Sequence, residues 1–503
     1  MNVPFKQAYV PNVALVVLTL FPQLINTAAY PMLSHAIAKD LGVTQAAVLE
    51  YPLFYEGAFV FGILIGTTFI RRHNVRPVYL SMLAIDLILS ISFALVHSSA
   101  QMIVLNVAAG CVGGAFLMVA LPPLFTNFEP KFFHASAALM VPCLFGAATL
   151  APIVTAPLAA ASLWRPLFWG EALVLVLAFV FAIFTVGSTE PKDPDAPTDW
   201  FAIGVGAFST ACIFAGVHNA AMHEWTYLPA LVPFVTGIAG FILLVAGEYR
   251  RENALLPIKR LLTSYAVIGF IGAAAGNAIY IANVQVANVV QMRVLHLLPM
   301  QIAATTWPLF AMTIVTGLLF AWILKTRWVP LYTLAGLIGI TAGSALFLAN
   351  LEHRQAAFAW TSLFLIGYGA GATITPGLFT VGLSLPRDII ARGIAAVEVV
   401  RLTLGFISGP LAEHTIVTHA RSETAAGKLI ANGNAVGHAA AANVLVGLHW
   451  TMLYVIGIGA LATLAIAALL IKYYRTPHAP NVVRYVQKGE PAFDSPPLSK
   501  LTP

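Results

Sequence analysis

Charge is what this chain of 503 residues lacks: only 9% of it is Asp, Glu, Lys or Arg, against 59% hydrophobic. A water-soluble domain carries about 25% charge, because charged side chains are what solvate its exterior. So little charge leaves the exterior to lipid, and the mean hydropathy of +0.85 agrees. Cysteine is scarce as well. Cys111, Cys143 and Cys212 fall in apolar runs, outside any metal-site spacing, and read as small packing residues. No G-x-x-x-x-G-K-S/T loop occurs, which excludes a transport ATPase, and neither H-E-x-x-H nor a nucleophile motif points to a membrane enzyme. The Gly-rich stretch Gly367–Gly377 has no basic and hydroxyl residues in the places a phosphate loop needs, and reads as small-residue helix packing. Short alternating strands, the sign of a membrane barrel, are missing too.

Long apolar runs are what the chain has instead. About 20 apolar residues carry a helix across about 30 Å of hydrocarbon. Fourteen segments qualify: Tyr9–Leu33, Ala46–Phe69, Val78–Val96, Met102–Leu124, Ala137–Leu158, Pro166–Val186, Trp200–Val217, Leu228–Ala246, Tyr265–Val289, Met300–Leu324, Pro330–Ala349, Ala357–Val381, Ile389–Leu411 and Leu448–Tyr473. No small-residue cleavage site follows the first run, so it reads as a membrane helix and not a removable signal.

The cations then give the orientation. Of 26 Lys and Arg, only Lys39, Arg165, Arg293, Arg354, Arg421 and Lys428 fall on one side, and Arg401 falls inside a span. The positive-inside rule places the richer side, with both termini, in the cytoplasm. Ser188–Asp199 reads as a Pro- and acid-rich linker, Thr415–Gly447 as a polar outer loop, and the tail after Tyr474 as disordered.

An ionisable side chain in hydrocarbon costs a few kcal/mol or more and marks a pathway or coupling site by default. Glu56, Asp86, Glu398 and Arg401 lie roughly 12–18 Å into their spans at 1.5 Å per residue. Glu398 and Arg401, three residues apart, share a helix face and can pair, either as a self-neutralising structural unit or as a titrating one. Glu56 has no nearby cation in its own helix and is flanked by Tyr51, Phe54 and Tyr55, which suits a protonatable coupling group or a cation site. Asp86 reads more readily as a structural acid hydrogen-bonded to a neighbouring helix. His218, His223 and Glu224 read as a solvated outer turn and not a metal site.

The order of local patterns resembles the fourteen-span drug:proton antiporter branch of the major facilitator superfamily. Trp164–Trp169 (WRPLFW), Thr198–Trp200 (TDW), Tyr249–Leu261 (YRRENALLPIKRL), Val289–Ala303 and Ala391–Gly409 with Arg401 carry the likeness in sequence order. The resemblance implies an all-α integral membrane fold of about 14 transmembrane helices: a six-helix half over 1–187, two extra central helices over 188–264, a second six-helix half over 265–474, and a disordered tail over 475–503. It implies a site near mid-membrane between the halves, exposed to each side in turn. In such a fold Asn26, Tyr30, Tyr51, Tyr55 and Asn106 are the candidates to bind substrate, and Glu56, Asp86, Glu398 and Arg401, singled out by the cost of burying their charge, are the candidates to couple protons. Gly66, Arg71, Arg72, Arg76, Pro152 and Pro157 would gate.

Several positions depart from that branch. Asn26 and Asn106 stand where it has an acid and an arginine, and Ile70 and His73 replace the acid and second glycine of its basic loop. Ala151, Thr155 and Ala156 replace glycines of its antiporter motif. The expectation is a secondary transporter of a bacterial inner membrane, exporting amphipathic drug-like molecules by proton antiport. A siderophore or organic-acid exporter or facilitator without that coupling is the alternative. The expected ligands are a small-molecule substrate and protons, with no cofactor, metal or nucleic acid. A monomer in the bilayer is expected, with room for a periplasmic adaptor protein.

Overall fold

A computed structural model describes residues 9–126, 133–188, 198–222, 226–251, 253–353, 356–421 and 438–473, and, of the tail, 479–481, 484–485, 488–493 and 495–498. The described residues form helices throughout. In chain order these are α1 (Tyr9–Leu41), α2 (Gln45–Arg72), α3 (Val75–Ala94), α4 (Ser99–Thr126), α5 (Phe133–Leu144), α6 (Gly146–Ala160), α7 (Arg165–Thr185), α8 (Trp200–Met222) and α9 (Leu228–Arg250). The short α10 (Ile258–Leu261) leads into α11 (Ser264–Asn288), α12 (Pro299–Ile323), α13 (Val329–His353), α14 (Ala356–Leu383), α15 (Ile390–Arg421) and α16 (His438–Tyr473).

Twelve of the described helices are long and apolar enough to cross a membrane, or thirteen if α5 and α6 form one span bent by 47°. The count therefore stops short of the expected fourteen. The missing one is α15, whose 32 residues suffice in length but whose Arg392, Glu398, Arg401 and Glu413 lower its apolarity. The expected fifth span, Ala137–Leu158, breaks at Phe145. Pro142, one turn earlier, removes a backbone donor, and Pro152 removes another beyond the break, so the ladder is weak on both sides.

Apolar residues on both faces make these helices lipid-compatible, and residue size decides which face turns inward. On α7, Leu173, Leu177, Val180 and Phe184 are exposed in helical register, whereas Ala172, Ala178 and Ala182 are buried. Small residues let backbones approach, and interhelical packing is what holds helices together in lipid. Between α2 and α4 the approach is closest: a Cβ added at Gly66 would stand 2.6 Å from the Ala115 Cα, and one at Gly114 2.0 Å from the Phe59 carbonyl oxygen.

Helices α1–α7 pack chiefly among themselves, and so do α11–α16. The two groups meet where α5 and α6 lie on α12 and where α2 and α4 lie on α15. The α8–α9 pair stands beside α2 and α15. An ionic clamp closes its basic end, with Arg251 donating to both oxygens of Asp199 at 2.6 Å while Asp199 accepts from the Ala202 amide at 3.0 Å. Burial raises the Asp199 pKa, but the Arg251 and backbone hydrogen bonds outweigh it and hold this carboxyl below its ordinary range.

The tail corrects a second expectation. Its described residues are not loose: they lie across the basic end of the α11–α16 group. The Ser264 amide donates to the Pro496 carbonyl at 3.0 Å, Arg387 to Gly489 at 2.9 Å, and Ala492 to Leu383 at 2.8 Å. Tyr485 and Phe493 are buried, Phe493 with its ring edge-on to Tyr265 at 5.5 Å. A polar, Pro-rich composition hid two aromatic anchors, and burying them offsets the ordering entropy of the strap.

Candidate functional site

The first cluster of buried polar groups lies inside the α1–α7 group, and the WRPLFW segment builds one wall of it. Trp164 and Arg165 both donate to Asp40 at the end of α1, at 3.0 and 2.7 Å, and Arg165 also donates to the Ala94 and Val96 carbonyls beyond α3. Phe168 stacks on Phe93 at 4.9 Å. With α7 fixed in this way, Glu171, one turn deeper, points between α1 and α3. Its Oε2 accepts from the Asn26 amide and stands 2.9 Å from the Ser90 hydroxyl. That hydroxyl has one proton, which goes either to Glu171 or to the Phe168 carbonyl at 2.8 Å.

Asp86, one turn before Ser90 on α3, accepts from Gln23 at 2.5 Å. Asn106 and Tyr30 bond reciprocally at 3.1 and 3.2 Å. Gln23, Asn26, Tyr30, Tyr55, Asp86, Ser90, Asn106 and Glu171 share one small cavity of about 30 Å³. Among the described residues no Lys, Arg or His lines it.

The second cluster lies within the α11–α16 group, on the helix that meets α2 and α4. On α15, Arg401 donates to Glu398 through Nε at 3.2 Å and Nη2 at 2.5 Å. Its Nη1 donates to the Asn277 side-chain oxygen on α11 at 2.9 Å, and Asn277 donates back to the Arg401 carbonyl at 3.1 Å. Glu398 is 1% exposed. Across the α2–α15 contact stands Glu56, half-buried, with no hydrogen bond or ion pair among the described residues. The Arg401 charge nevertheless acts on it, so Glu56 is less isolated than its own helix suggests.

Tyr51 and Tyr55 do not share the direction of Glu56. Tyr51 is 1% exposed, donates to Ser99 at 2.8 Å, and lies edge-on to Tyr30 at 6.2 Å. Tyr55 packs on Phe59 and turns its hydroxyl into the α1–α7 cavity. The rings expected to offer faces beside Glu56 are already covered by other aromatics.

The gating candidates divide similarly. Gly66 is a helix-contact residue against α4. Arg72 donates to Thr198 at 2.5 Å and Arg76 to the Ile183 carbonyl at 3.0 Å, so both tie the α2–α3 turn to the ends of α7 and the linker before α8. Arg71 faces α15, where its charge reaches Arg392. Pro157 points outward from α6 and Pro152 is half-buried, while Thr155 and Ala156 form the buried face.

At the opposite end His218 stands 3.8 Å from Glu50, while His223 and Glu224 lie outside the described residues. Among the described residues no group of three His, Cys, Asp or Glu could hold a metal ion. The reading from residues passed over Glu171, Gln23 and Asn277. Glu171 carried the signal that singled out Glu56, a lone acid in an apolar run. Gln23 and Asn277 carried none, since an amide in a span costs less and reads as packing.

Comparison with known proteins agrees with this architecture. The human organic anion transporter MFSD10 (TETRAN) superposes with a TM-score of 0.62 at 12% identity, over 92% of this chain and 100% of that one. The peptide transporter POT superposes at 0.61 with 15% identity, over 91% and 94%. In sequence, the uncharacterized MFS-type transporter YubD of Bacillus subtilis (strain 168) is 22% identical over 400 residues, 77% of this chain and 76% of that protein. The MFS-type efflux transporter ffsH of Aspergillus flavipes is 26% identical over 283 residues, 52% of this chain and 48% of that one. The family description Major Facilitator Superfamily matches residues 15–410, and with the helical groups meeting at charged α15 the chain belongs to that superfamily of membrane transporters.

Proposed function

We propose that this protein is a secondary active exporter of amphipathic, drug-like small molecules, driven by proton antiport. In this reading α15 is also a span and completes the fourteen, both termini are cytoplasmic in a bacterial inner membrane, and the α1–α7 and α11–α16 groups rock about their contact. The observation that carries it is the contact of α2, which bears Glu56, with α15, which bears the Glu398–Arg401 pair, at the boundary between the groups. An ionised Glu56 is drawn towards Arg401, and a protonated one is released. Proton exchange at that acid therefore changes the attraction between the two groups, which is what coupling requires. The efflux activity in the name of the Aspergillus flavipes relative favours the outward direction.

The test is efflux from proteoliposomes under an imposed pH gradient, with a panel of drug-like cations and metabolites and an internal pH dye. A transported compound should move protons the other way. Glu56→Gln should abolish accumulation driven by the gradient, about a hundredfold loss for a missing proton carrier, while counterflow exchange survives. Wild-type pumping by Glu56→Gln would sink the role of Glu56. Flux of one metabolite without proton movement would favour a siderophore or organic-acid carrier, a reading supported by neutral Asn26 and Asn106 at positions where charge was expected.

A further inference from the structure

The cavity inside the α1–α7 group is not required by the reading above, since Glu56 and Arg401 lie outside it, and it has its own chemistry. Asp86 and Glu171 are 5% and 8% exposed, and each engages one carboxyl oxygen in the described hydrogen bonds. The second oxygen of each accepts no hydrogen bond among the described residues. Tyr55, 8% exposed, carries a hydroxyl with no hydrogen-bond partner, and it lines the same cavity. The Thr27 hydroxyl beside it gives its own proton to the Gln23 carbonyl at 2.7 Å and can only accept from Tyr55, which leaves the Tyr55 oxygen's lone pairs to the cavity.

Two carboxyls in one buried cavity need positive charge. The residues packed around them supply none: α1 offers Tyr30, α2 offers Tyr55 with Glu56 beyond it, and α4 offers only neutral Asn106. On α6 there is no ionisable residue. The nearest cation along α7, Arg165, is held by Asp40 and two backbone carbonyls. Buried charges are paired or bind a cation, and a water-sized site needs only about 10–15 Å³, less than this cavity of about 30 Å³.

We infer that the Asp86–Glu171 cavity binds one small monovalent cation, a proton or a sodium ion, between its two carboxyl groups and the Tyr55 hydroxyl. A proton delivered from water would sit on one carboxylate oxygen, turning a doubly charged pair into a singly charged one. Sodium would do the same to the net charge through oxygen ligands. The site deepens the reading of a gradient-driven carrier by giving the α1–α7 group a cation of its own.

Melting of the purified full-length protein tests the inference without any transported substrate, because a ligand of the folded state stabilises it. Ionic strength is held with choline chloride while pH is varied, and choline is then exchanged for sodium at alkaline pH. A sodium site gives a saturable rise in melting temperature with sodium. A proton site gives a rise on acidification that sodium does not alter. In either case Asp86→Asn and Glu171→Gln should flatten the response. Tyr55→Phe, which keeps the ring on Phe59, should move its midpoint by about tenfold in cation concentration. If the carboxyl variants keep the wild-type response, the acids are structural and the inference is wrong. Should they not fold, an unmoved midpoint in Tyr55→Phe overturns it as well. A cation response without flux would fail the carrier reading alone, and flux without a cation response would fail this site alone.

Discussion

Glu398 on α15 and Glu171 on α7 are both buried, yet their electrical surroundings are opposite. Glu398 has a guanidinium 2.5 Å away, itself fixed by Asn277, and forms a neutral unit at the boundary between the helix groups. Glu171 has only neutral donors, Asn26 and Ser90, and its nearest acidic neighbour is another carboxyl. Burial alone therefore does not tell a structural acid from one that exchanges its charge. A pair carries its countercharge within the protein, while a pair of acids must take it from outside. Asp199 adds a third case, the same Arg–carboxylate chemistry at a wet helix end.

The contrast breaks first at α15. Glu398→Gln leaves Arg401 buried without its carboxylate and should lower stability by about 3 kcal/mol or more. The readout is the melting temperature or the yield of monodisperse protein. Adding Arg401→Met should recover most of that loss, because no stranded charge remains. Wild-type stability in the single variant would mean that Glu56 or Asn277 suffices as partner.

Glu171→Gln should behave in the opposite sense. Its side chain can still accept from Asn26 and Ser90, and one of two like charges is gone. Stability at alkaline pH should rise or stay within about 1 kcal/mol of wild type. A loss as large as that of Glu398→Gln would erase the distinction between the two sites.

The smallest effect belongs to Asp199. Its lowered pKa contributes stability above the unfolded carboxyl value of about 4, and this is lost as pH falls through the folded value. Because Arg251 is 44% exposed, solvent screens the pair, so Asp199→Asn should cost less than about 1 kcal/mol at neutral pH. The variant should also flatten the acid limb of the stability curve. An effect at neutral pH matching that of Glu398→Gln would show that the clamp holds α8 and α9 in place for the whole bundle.

The helices were legible because lipid imposes one simple rule, about 20 apolar residues per crossing. The helix α15 could be found too, since its apolar stretch around Glu398 and Arg401 and their spacing of three signalled a helix with an internal pair. The break at Phe145 was hidden, because prolines permit a kink without locating it. The tail misled for a different reason: its average composition is that of a disordered segment, while its described residues are held by backbone hydrogen bonds and by the buried Tyr485 and Phe493.

At the sites, the acids could be recognised one at a time, but their partners could not. Glu398 and Arg401 lie on one helix, so helical geometry predicted their pairing. Tyr51 and Tyr55 lie beside Glu56 in sequence, but a step of one residue turns a side chain by about 100° at 3.6 residues per turn. They face α1 and α4 while Glu56 faces α15.

The sequence by itself determined that the chain lives in lipid, where its helices run and which charged residues had to be buried. Those are properties of composition and of a period within single helices. Only the tertiary structure decided that Asp86 shares a cavity with Glu171 and that Arg401 reaches both Glu398 and Asn277. It alone turned Tyr55 into that cavity and away from Glu56. The reason is physical: the electrostatic energy of a buried acid depends on the distance to charges on other helices, and helix-to-helix distances are set by packing contacts such as Gly66 on Ala115, which no single segment encodes.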